Sequence, residues 1–298
     1  KNYGARIVQY GSIYDHAYQK ALEIQKEEGQ VFLHPFDDEY VIAGQGTIGL
    51  EILNEYKDID MIFVPVGGGG ILSGIALAVK SINPNIKVIG VEAENASSMK
   101  KALEVGKPIF IEDCKTIADG IAVAKVGDIT YELVKKYVDE IITVSDDDIA
   151  QALLFLLEKA KVVAEGAGAT SLAGLMSSKI DIKGKTACCV ISGGNIDVNN
   201  IEKIVNKAQI LQARRVRFVV YLSDTVGQIN KLTKILMNNY ANILYLNQTR
   251  YNIDLNITEQ ELSVVIECKN REHSEHILNE LFEKNELFNK LKTKIYFV

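Results

Sequence analysis

The most chemically suggestive residues are four consecutive glycines, Gly67–Gly70, which follow an apolar run at 60–66 and precede Ile71. Glycines after a buried strand let the backbone approach a ligand closely, and successive N–H groups at a helix start attract an anion. A plain turn rarely needs four glycines, because each one adds to the entropy lost on folding. The pattern predicts a phosphate-binding loop, with a tight strand-to-helix turn as the alternative.

The kind of phosphate is a separate question. A dinucleotide-binding fold requires Gly-x-Gly-x-x-Gly, but Leu72 and Ser73 occupy the third glycine position in the two possible registers. The lysine of a P-loop is also missing from this stretch. Glu92 stands at the end of the next apolar run, where an acid would bind a ribose, so a nucleotide-dependent oxidoreductase stays open as an alternative.

A second loop, ISGGNID at 191–197, also follows an apolar run that predicts a buried strand. Ligands of open α/β sheets bind beyond the carboxyl ends of the strands. The hydroxyl of Ser192 is suited to hydrogen-bonding a heterocyclic nitrogen. Ser-Gly-Gly-Asn also forms ordinary turns, so this loop alone does not identify a site.

Cysteines and histidines predict neither a metal site nor a disulfide framework. No cysteine pair has Cys-x-x-Cys spacing, and two histidines three apart on a predicted helix are typical of a solvated face. The acidic run at 145–148 is interpreted as a helix cap rather than a metal site. Eight residues are therefore interpreted as structural: Cys114, Cys188, Cys189, Cys268, His16, His34, His273 and His276.

Alternating strands and helices must position the two loops. The pattern predicts strands at 5–9, 30–33, 60–66, 87–91 and 186–191, and helices at 12–28, 47–55, 72–82 and 145–160. This alternation predicts an α/β fold with a mostly parallel sheet covered on both faces. The chain begins at Lys1, inside an α/β unit already under way, which suggests a truncated or incomplete sequence.

The pattern changes after Gln212, beyond which a basic cluster at 214–217 marks a junction. The order that follows is strand 216–223, helix 227–240, strands 243–248 and 262–269, helix 272–283 and strand 292–298. This βαββαβ order predicts an α+β ferredoxin-like fold. We therefore predict two domains, residues 1–212 and 213–298.

Composition narrows the function classes. Of 298 residues, 47% are hydrophobic and 24% charged, which is typical of a folded, soluble protein. The net charge of −6 and the lack of a long basic block make nucleic acid an improbable partner. No apolar run reaches the roughly 20 residues that cross a bilayer, so no membrane is expected and the cytoplasm is the predicted location.

Five stretches together resemble the serine/threonine dehydratases among the fold type II (tryptophan synthase β-like) pyridoxal-phosphate enzymes. They are HPFDDEYVIAGQGTIGLEI (34–52), PVGGGGILSGIA (65–76), TIADGIAV (116–123), VVAEGAGA (162–169) and CVISGGNID (189–197). They lie in family order over about residues 1–205. The resemblance implies a pyridoxal 5′-phosphate cofactor and β-elimination of L-threonine to 2-oxobutanoate and ammonia.

Carried over by motif, the resemblance implies that the backbone of Gly67, Gly68, Gly69, Gly70 and Ile71 holds the cofactor phosphate, while Ser192 hydrogen-bonds the pyridine nitrogen. Asp119, Gly120 and Glu165 lie in motifs that line the cofactor pocket, although acids there are also suited to ion pairs or helix caps. The stretch 92–98 is similar to the cation-binding loop of serine racemases, which implies a divalent or monovalent ion near Glu92 and Ala96. Ser98 replaces the aspartate of that loop, which weakens the metal prediction and favours a dehydratase over a racemase.

The Schiff-base lysine of this family lies in a Ser-Phe-Lys-x-Arg-Gly-Ala motif that the 298 residues do not contain. We therefore expect this chain by itself to be inactive on threonine, and we assign no catalytic residue. Serine dehydratase, serine racemase and an amino-acid-binding regulatory fragment remain alternatives.

Residues 213–298 resemble an ACT domain, which implies an amino-acid effector, isoleucine among the candidates, and a homo-oligomer such as a dimer or tetramer. By motif, the effector-binding residues are Asp224, Gly227 and Asn242, although the glycine is equally suited to an ordinary turn.

Overall fold

The computed structural model describes residues 4–11, 14–253, 255–282 and 294–296, and it divides into two units, 1–197 and 198–298. The division falls one helix earlier than the predicted limit at 212, because the helix at 198–211 groups with the second unit. Each unit has its own sheet and its own apolar core.

The first unit is built on four parallel strands in the order β3-β2-β1-β4. The strands are β1 (Met61–Pro65), β2 (Lys87–Ala93), β3 (Glu140–Val144) and β4 (Ala187–Cys189). The helices are α1 (Tyr14–Glu28), α2 (Glu39–Glu55), α3 (Gly70–Ile82), α4 (Ser98–Val105), α5 (Asp128–Tyr137), α6 (Asp146–Phe155) and α7 (Gly166–Met176). Every residue of β1 is buried, as the continuous apolar run predicts for a strand covered on both faces.

Helices α2 and α3 pack through small residues. A Cβ built at Gly74 would overlap the carbonyl of Ile42, and one at Gly46 would lie 3.1 Å from the carbonyl of Gly74. The two backbones therefore approach more closely than larger side chains would permit. Because α3 follows the tetraglycine loop directly, this contact fixes the helix whose first turn faces the site.

Helix starts bear on two of the sequence predictions. Helix α2 begins at Glu39 rather than 47, because the Asp38 side chain accepts hydrogen bonds from the amides of Tyr40 and Val41. The acidic run at 145–148 forms a capping box at the start of α6, so its interpretation as a cap is confirmed.

The strands predicted at 5–9 and 30–33 are wrong. These residues form no ladder with any other described segment, and a strand requires a hydrogen-bonded neighbour.

The second unit holds an antiparallel sheet in the order β6-β7-β5-β8. Its elements are α8 (Val198–Leu211), β5 (Arg215–Ser223), α9 (Gln228–Asn238), β6 (Asn242–Thr249), β7 (Glu259–Glu267), α10 (Arg271–Phe282) and β8 (Lys294–Tyr296). Residues 215–296 thus have the predicted βαββαβ order, and buried Phe218, Leu236 and Ile277 lie in its core. Parts of the predicted segments 272–283 and 292–298 lie outside the described residues.

Candidate functional site

The tetraglycine loop joins β1 to α3 at the carboxyl end of the sheet. Gly69 has φ of +98°, a left-handed backbone that favours glycine, and it is the N-cap of α3. The first amides of any helix lack acceptors within the helix, so those of Gly70 and Ile71 can bind an anion. The sequence-predicted loop is therefore placed at a helix start, as phosphate binding requires.

Each glycine of the loop has a neighbour where a side chain would be. A Cβ built at Gly67 would lie 3.0 Å from Cα of Ile121, and one at Gly69 would lie 2.7 Å from Cε of Met99 and 2.9 Å from Cβ of Thr130. A Cβ at Gly68 would overlap the ring of Phe36. The glycines thus permit close packing around the loop as well as close approach of a ligand.

The buried hydroxyl of Thr130 fixes the orientation of the tetraglycine loop. Thr130 on α5 donates from Oγ1 to the carbonyl oxygen of Gly68 over 2.7 Å. Asp37 in turn caps α5 from a distant part of the chain, accepting from the amides of Asp128, Ile129 and Thr130 at 2.9 to 3.1 Å. The loop conformation is therefore fixed by contacts that are remote in sequence.

The Ser192 loop follows β4, which pairs directly with β1. The carbonyl of Val190 accepts from Oγ of Ser171 over 2.7 Å, and the carbonyl of Gly193 accepts from the amide of Glu165 over 3.1 Å. Ser171 of α7 and Glu165, the N-cap of that helix, therefore hold this loop beside the start of α7. Because β1 and β4 are neighbouring parallel strands, both predicted loops emerge at the same edge of the sheet.

Glu165 connects the Ser192 loop with the turn at 119–121. Its carboxylate lies against Gly193, where a Cβ would overlap it, and within 3.4 Å of a Cβ built at Gly120. Glu165 is half-buried, so both glycines make room for its side chain. Gly120, Glu165 and Ser192 are thereby brought together.

These segments enclose a cleft of about 290 Å³, near the lower end of ligand pockets. It contains both loops that the sequence singled out. The lining residues are Pro35, Phe36, Gln45, Pro65, Gly67, Gly68, Gly69, Gly70, Ile71, Gly120, Ile121, Val123, Glu165, Ala167 and Ser192. Asp119 is not among them, because its exposed carboxylate accepts from the neighbouring amide of Gly120 over 2.9 Å.

In the predicted cation loop, residues 92–98, the side chain of Glu92 binds backbone amides. Both carboxylate oxygens of buried Glu92 accept amide hydrogens at the start of α4, from Met99 over 2.7 Å and from Lys100 over 2.9 Å. Burial raises the pKa of Glu92 to about 7. Ala96 is buried, and Oγ of Ser98 is buried without a hydrogen-bond partner. Across the described residues, no three His, Cys, Asp or Glu side chains form a metal-binding cluster.

In the second unit, Asp224 and Gly227 line a pocket of about 340 Å³ with Gln248, Arg250 and Gln260. Arg250 donates to both carboxylate oxygens of Asp224, over 2.6 and 2.8 Å, which lowers the pKa of that carboxyl. Asn242 is not brought there. It begins β6 opposite Glu267, at the other end of the sheet, and donates to the carboxylate of Glu267.

Sequence reasoning missed Phe36, Asp37 and Thr130. The first two lie inside the HPFDD stretch, where an aspartate before a helix was a usable cap signal for Asp38 and α2 but not for the contact of Asp37 with α5. Thr130 gives no comparable local signal, because its partner is 62 residues away.

Three comparisons with known proteins give consistent results. Residues 1–193 match the family described as "Pyridoxal-phosphate dependent enzyme". The L-threonine ammonia-lyase of Thermotoga maritima is 47% identical over 284 residues, which cover 95% of this chain and 71% of that protein. A threonine deaminase isoform 2 structure from Solanum lycopersicum matches with a TM-score of 0.64 and 37% identity, and a maize serine racemase structure matches with 0.63 and 34%.

The matched regions cover 69% of this chain in both comparisons, but only 60% of the Solanum lycopersicum chain and 64% of the maize chain.

Among the described residues, no helix combines the length and apolar character needed to cross a membrane.

Proposed function

The chain belongs to the pyridoxal-phosphate dependent enzyme family, and from this premise we propose that its cleft is the phosphate and ring-nitrogen side of an L-threonine ammonia-lyase site. The proposed reaction is β-elimination of L-threonine to 2-oxobutanoate and ammonia. The 47% identity to the Thermotoga L-threonine ammonia-lyase supports threonine as the substrate. One observation carries the proposal: the tetraglycine loop and Ser192 line the same cleft.

The residues of the cleft fit the cofactor. The four glycines place no side chain over the backbone amides of the loop, and the helix start favours an anion. Ser192, which carries a neutral hydroxyl, lines the same cleft from the loop that follows the neighbouring strand β4. When bound, pyridoxal phosphate supplies an electrophilic carbonyl carbon and an electron-withdrawing ring.

Each residue has a definite task in this proposal. The amides of Gly67–Ile71 would hold and orient the phosphate group of the cofactor. Ser192 donates to or accepts from the ring nitrogen without adding a charge, which leaves that nitrogen less protonated than a carboxylate partner would. Glu165 positions the Ser192 loop by packing against Gly193. Phe36 lines the cleft and packs against Gly68 and Gly70.

A serine racemase remains the second candidate, because the maize enzyme shares the fold at 34% identity. Glu92 favours the lyase, since both its oxygens already accept amide hydrogens and Ser98 supplies no carboxylate for a divalent ion.

For the second unit, we propose an ACT-like regulatory domain that binds an amino-acid effector beside Asp224 and Arg250. Opposite charges and amide side chains in one pocket suit the ammonium and carboxylate groups of a free amino acid. Calorimetric titration with isoleucine tests the effector role, and no heat of binding from isoleucine, valine or threonine would count against it.

We further propose that the protein is a homo-oligomer located in the cytoplasm.

Cofactor binding tests the main proposal. Pyridoxine 5′-phosphate is a suitable probe because it has no aldehyde to react with surface lysines. We expect Ser192→Ala to weaken its binding about tenfold, as loss of one hydrogen bond implies. Gly69→Ala should abolish binding, whereas Gly106→Ala should leave affinity unchanged, since Gly106 has a similar φ of +87° with nothing within 4 Å. Equal binding by all four proteins would overturn the assignment.

A further inference from the structure

A short segment, His34–Asp38, crosses the tetraglycine loop, and we refer to it as the strap. The Phe36 ring lies where a side chain on Gly68 would be, and its Cβ lies 2.9 Å from a Cβ built at Gly70. Asp37 caps α5, and Asp38 caps α2. The strap therefore contacts the loop directly and also caps the two helices α2 and α5.

These contacts form a closed circuit. From Asp37 the path runs through the amides at the start of α5 to Thr130, and from the Thr130 hydroxyl to the Gly68 carbonyl. It returns from Gly68 to the strap through the Phe36 ring. A change in the strap thus alters the loop by two routes.

His34 is the residue that holds the strap in this conformation. Its Nδ1 accepts the amide hydrogen of Asp37 over 2.8 Å and faces that of Phe36 at 3.3 Å. Only a neutral imidazole with its proton on Nε2 has a lone pair at Nδ1, because both nitrogens of an imidazolium are donors. The observed geometry thus depends on the protonation state of His34.

We propose that neutral His34 is a positioning residue for the phosphate site: by accepting from the strap amides it holds Phe36 and Asp37 against the tetraglycine loop, and protonation releases them. The inference rests on the proposed function, since it assigns His34 a role in how tightly the loop binds the cofactor phosphate. It replaces the interpretation of His34 as a purely structural residue.

The surroundings of the ring set the pH range. The ring is packed edge-on against Tyr18 of α1, Phe32 and Phe36, and the acids facing it are Asp37 and Asp38. Burial lowers the pKa of His34, although the two aspartates act in the opposite direction. Because this pKa is lowered, the hydrogen bonds to Nδ1 are complete above the ordinary histidine pKa of about 6.5 and are lost as pH falls through the lowered pKa of His34.

The test compares affinity for pyridoxine 5′-phosphate at pH 7.5 and pH 5 in the 298-residue chain and three variants of it. His34→Asn keeps an acceptor near the position of Nδ1 but does not titrate, and His34→Leu removes the acceptor. His273→Leu is the matched control, because Nδ1 of His273 accepts the amide of Lys269 over 3.1 Å in the other unit. Dividing each affinity by that of His34→Asn at the same pH removes the ionisation of the probe itself.

We expect wild-type affinity, relative to His34→Asn, to fall about tenfold between the two pH values, as loss of one hydrogen bond implies. His34→Leu should be about tenfold weaker at both, and His273→Leu should follow the wild type. An identical pH profile in wild type, His34→Asn and His34→Leu would overturn the inference.

Amide hydrogen exchange in the ligand-free chain separates the two proposals. Ile129 and Thr130 donate to Asp37, so their amides should exchange faster in His34→Leu than in wild type or His34→Asn. If wild type fails to bind the probe, the proposed function fails while the exchange result still decides whether His34 positions the strap. Unchanged exchange at these amides would contradict the role of His34.

Discussion

Two glycines with nearly the same backbone conformation stand at corresponding places in the two units. Gly69 (φ +98°) precedes α3 and Gly227 (φ +93°) precedes α9, each as the N-cap of a helix that follows a strand. A Cβ on Gly69 would meet Met99 and Thr130, whereas nothing lies within 4 Å of one on Gly227. The same local turn is therefore enclosed in one unit and open in the other.

The acids near the two turns differ in the same way. Buried Glu92 caps α4 and so holds Met99 beneath Gly69, and burial raises its pKa to about 7. Exposed Asp224 pairs with Arg250, and its pKa is lowered. The comparison indicates that backbone geometry alone does not define a binding loop. A loop rigid enough to present amides to a phosphate also needs packed neighbours on its far side.

The largest effect is expected for Gly69→Ala. Left-handed strain of about 1–2 kcal/mol and overpacking of about 1–3 kcal/mol should together lower the free energy of unfolding of the first unit by about 3 kcal/mol. Urea unfolding monitored by hydrogen exchange measures each unit separately. Gly106→Ala, which meets only the strain, should cost about 1 kcal/mol. Equal losses in both variants would show that packing around the loop is unimportant.

Glu92→Gln should change how the free energy of unfolding depends on pH, because it removes a buried ionisable group. A folded pKa of about 7, raised above the ordinary value near 4.5, means that this group stabilises the fold below pH 4.5 and loses that contribution as pH rises through 7. Between pH 4.5 and pH 8 the wild type should therefore lose up to about 3 kcal/mol relative to Glu92→Gln.

The matched control is Glu104→Gln, an exposed acid on α4, the helix whose first amides donate to Glu92, and it should leave the pH dependence of stability unaltered. A flat difference between wild type and Glu92→Gln would mean that Glu92 is solvated.

Thr130→Val tests the support beneath the loop at nearly constant shape. Removing the buried donor leaves the Gly68 carbonyl with only the longer contact to the Gly127 amide, so we expect a loss of about 1–2 kcal/mol. Weaker binding of pyridoxine 5′-phosphate should accompany it. If stability falls but affinity for the probe is unchanged, the Thr130 hydroxyl does not orient the loop for phosphate binding.

The smallest effect is expected for Gly227→Ala. Only backbone strain of about 1 kcal/mol opposes the substitution, because the space around the position is open. The measurement is the same urea unfolding, read in the second unit. A loss as large as that in Gly69→Ala would contradict the comparison between the two turns.

The sequence predicted those parts of the molecule whose signals are local. The tetraglycine loop, Ser192 and the order of elements in the second unit follow from glycine runs, apolar runs and family motifs, and the structure places both loops at one sheet edge. The strands expected at 5–9 and 30–33 fail because a strand depends on a partner that local pattern cannot supply.

Residues joined across long separations were also missed. Asp37 caps a helix that begins 91 residues later, so neither residue type nor spacing indicated its role.

Two residues with motif support lie away from their predicted sites. Asn242 lies at the opposite end of its sheet, and Asp119 does not line the cleft. These outcomes depend on tertiary packing rather than on local propensity.

The most direct test of the central claim is a crystal structure of this chain with pyridoxine 5′-phosphate bound. We predict phosphate oxygens at about 3 Å from amides of Gly67–Ile71, with the pyridine nitrogen at hydrogen-bond distance from Oγ of Ser192. Density for the probe outside this cleft, or a ring nitrogen pointing away from Ser192, would contradict it.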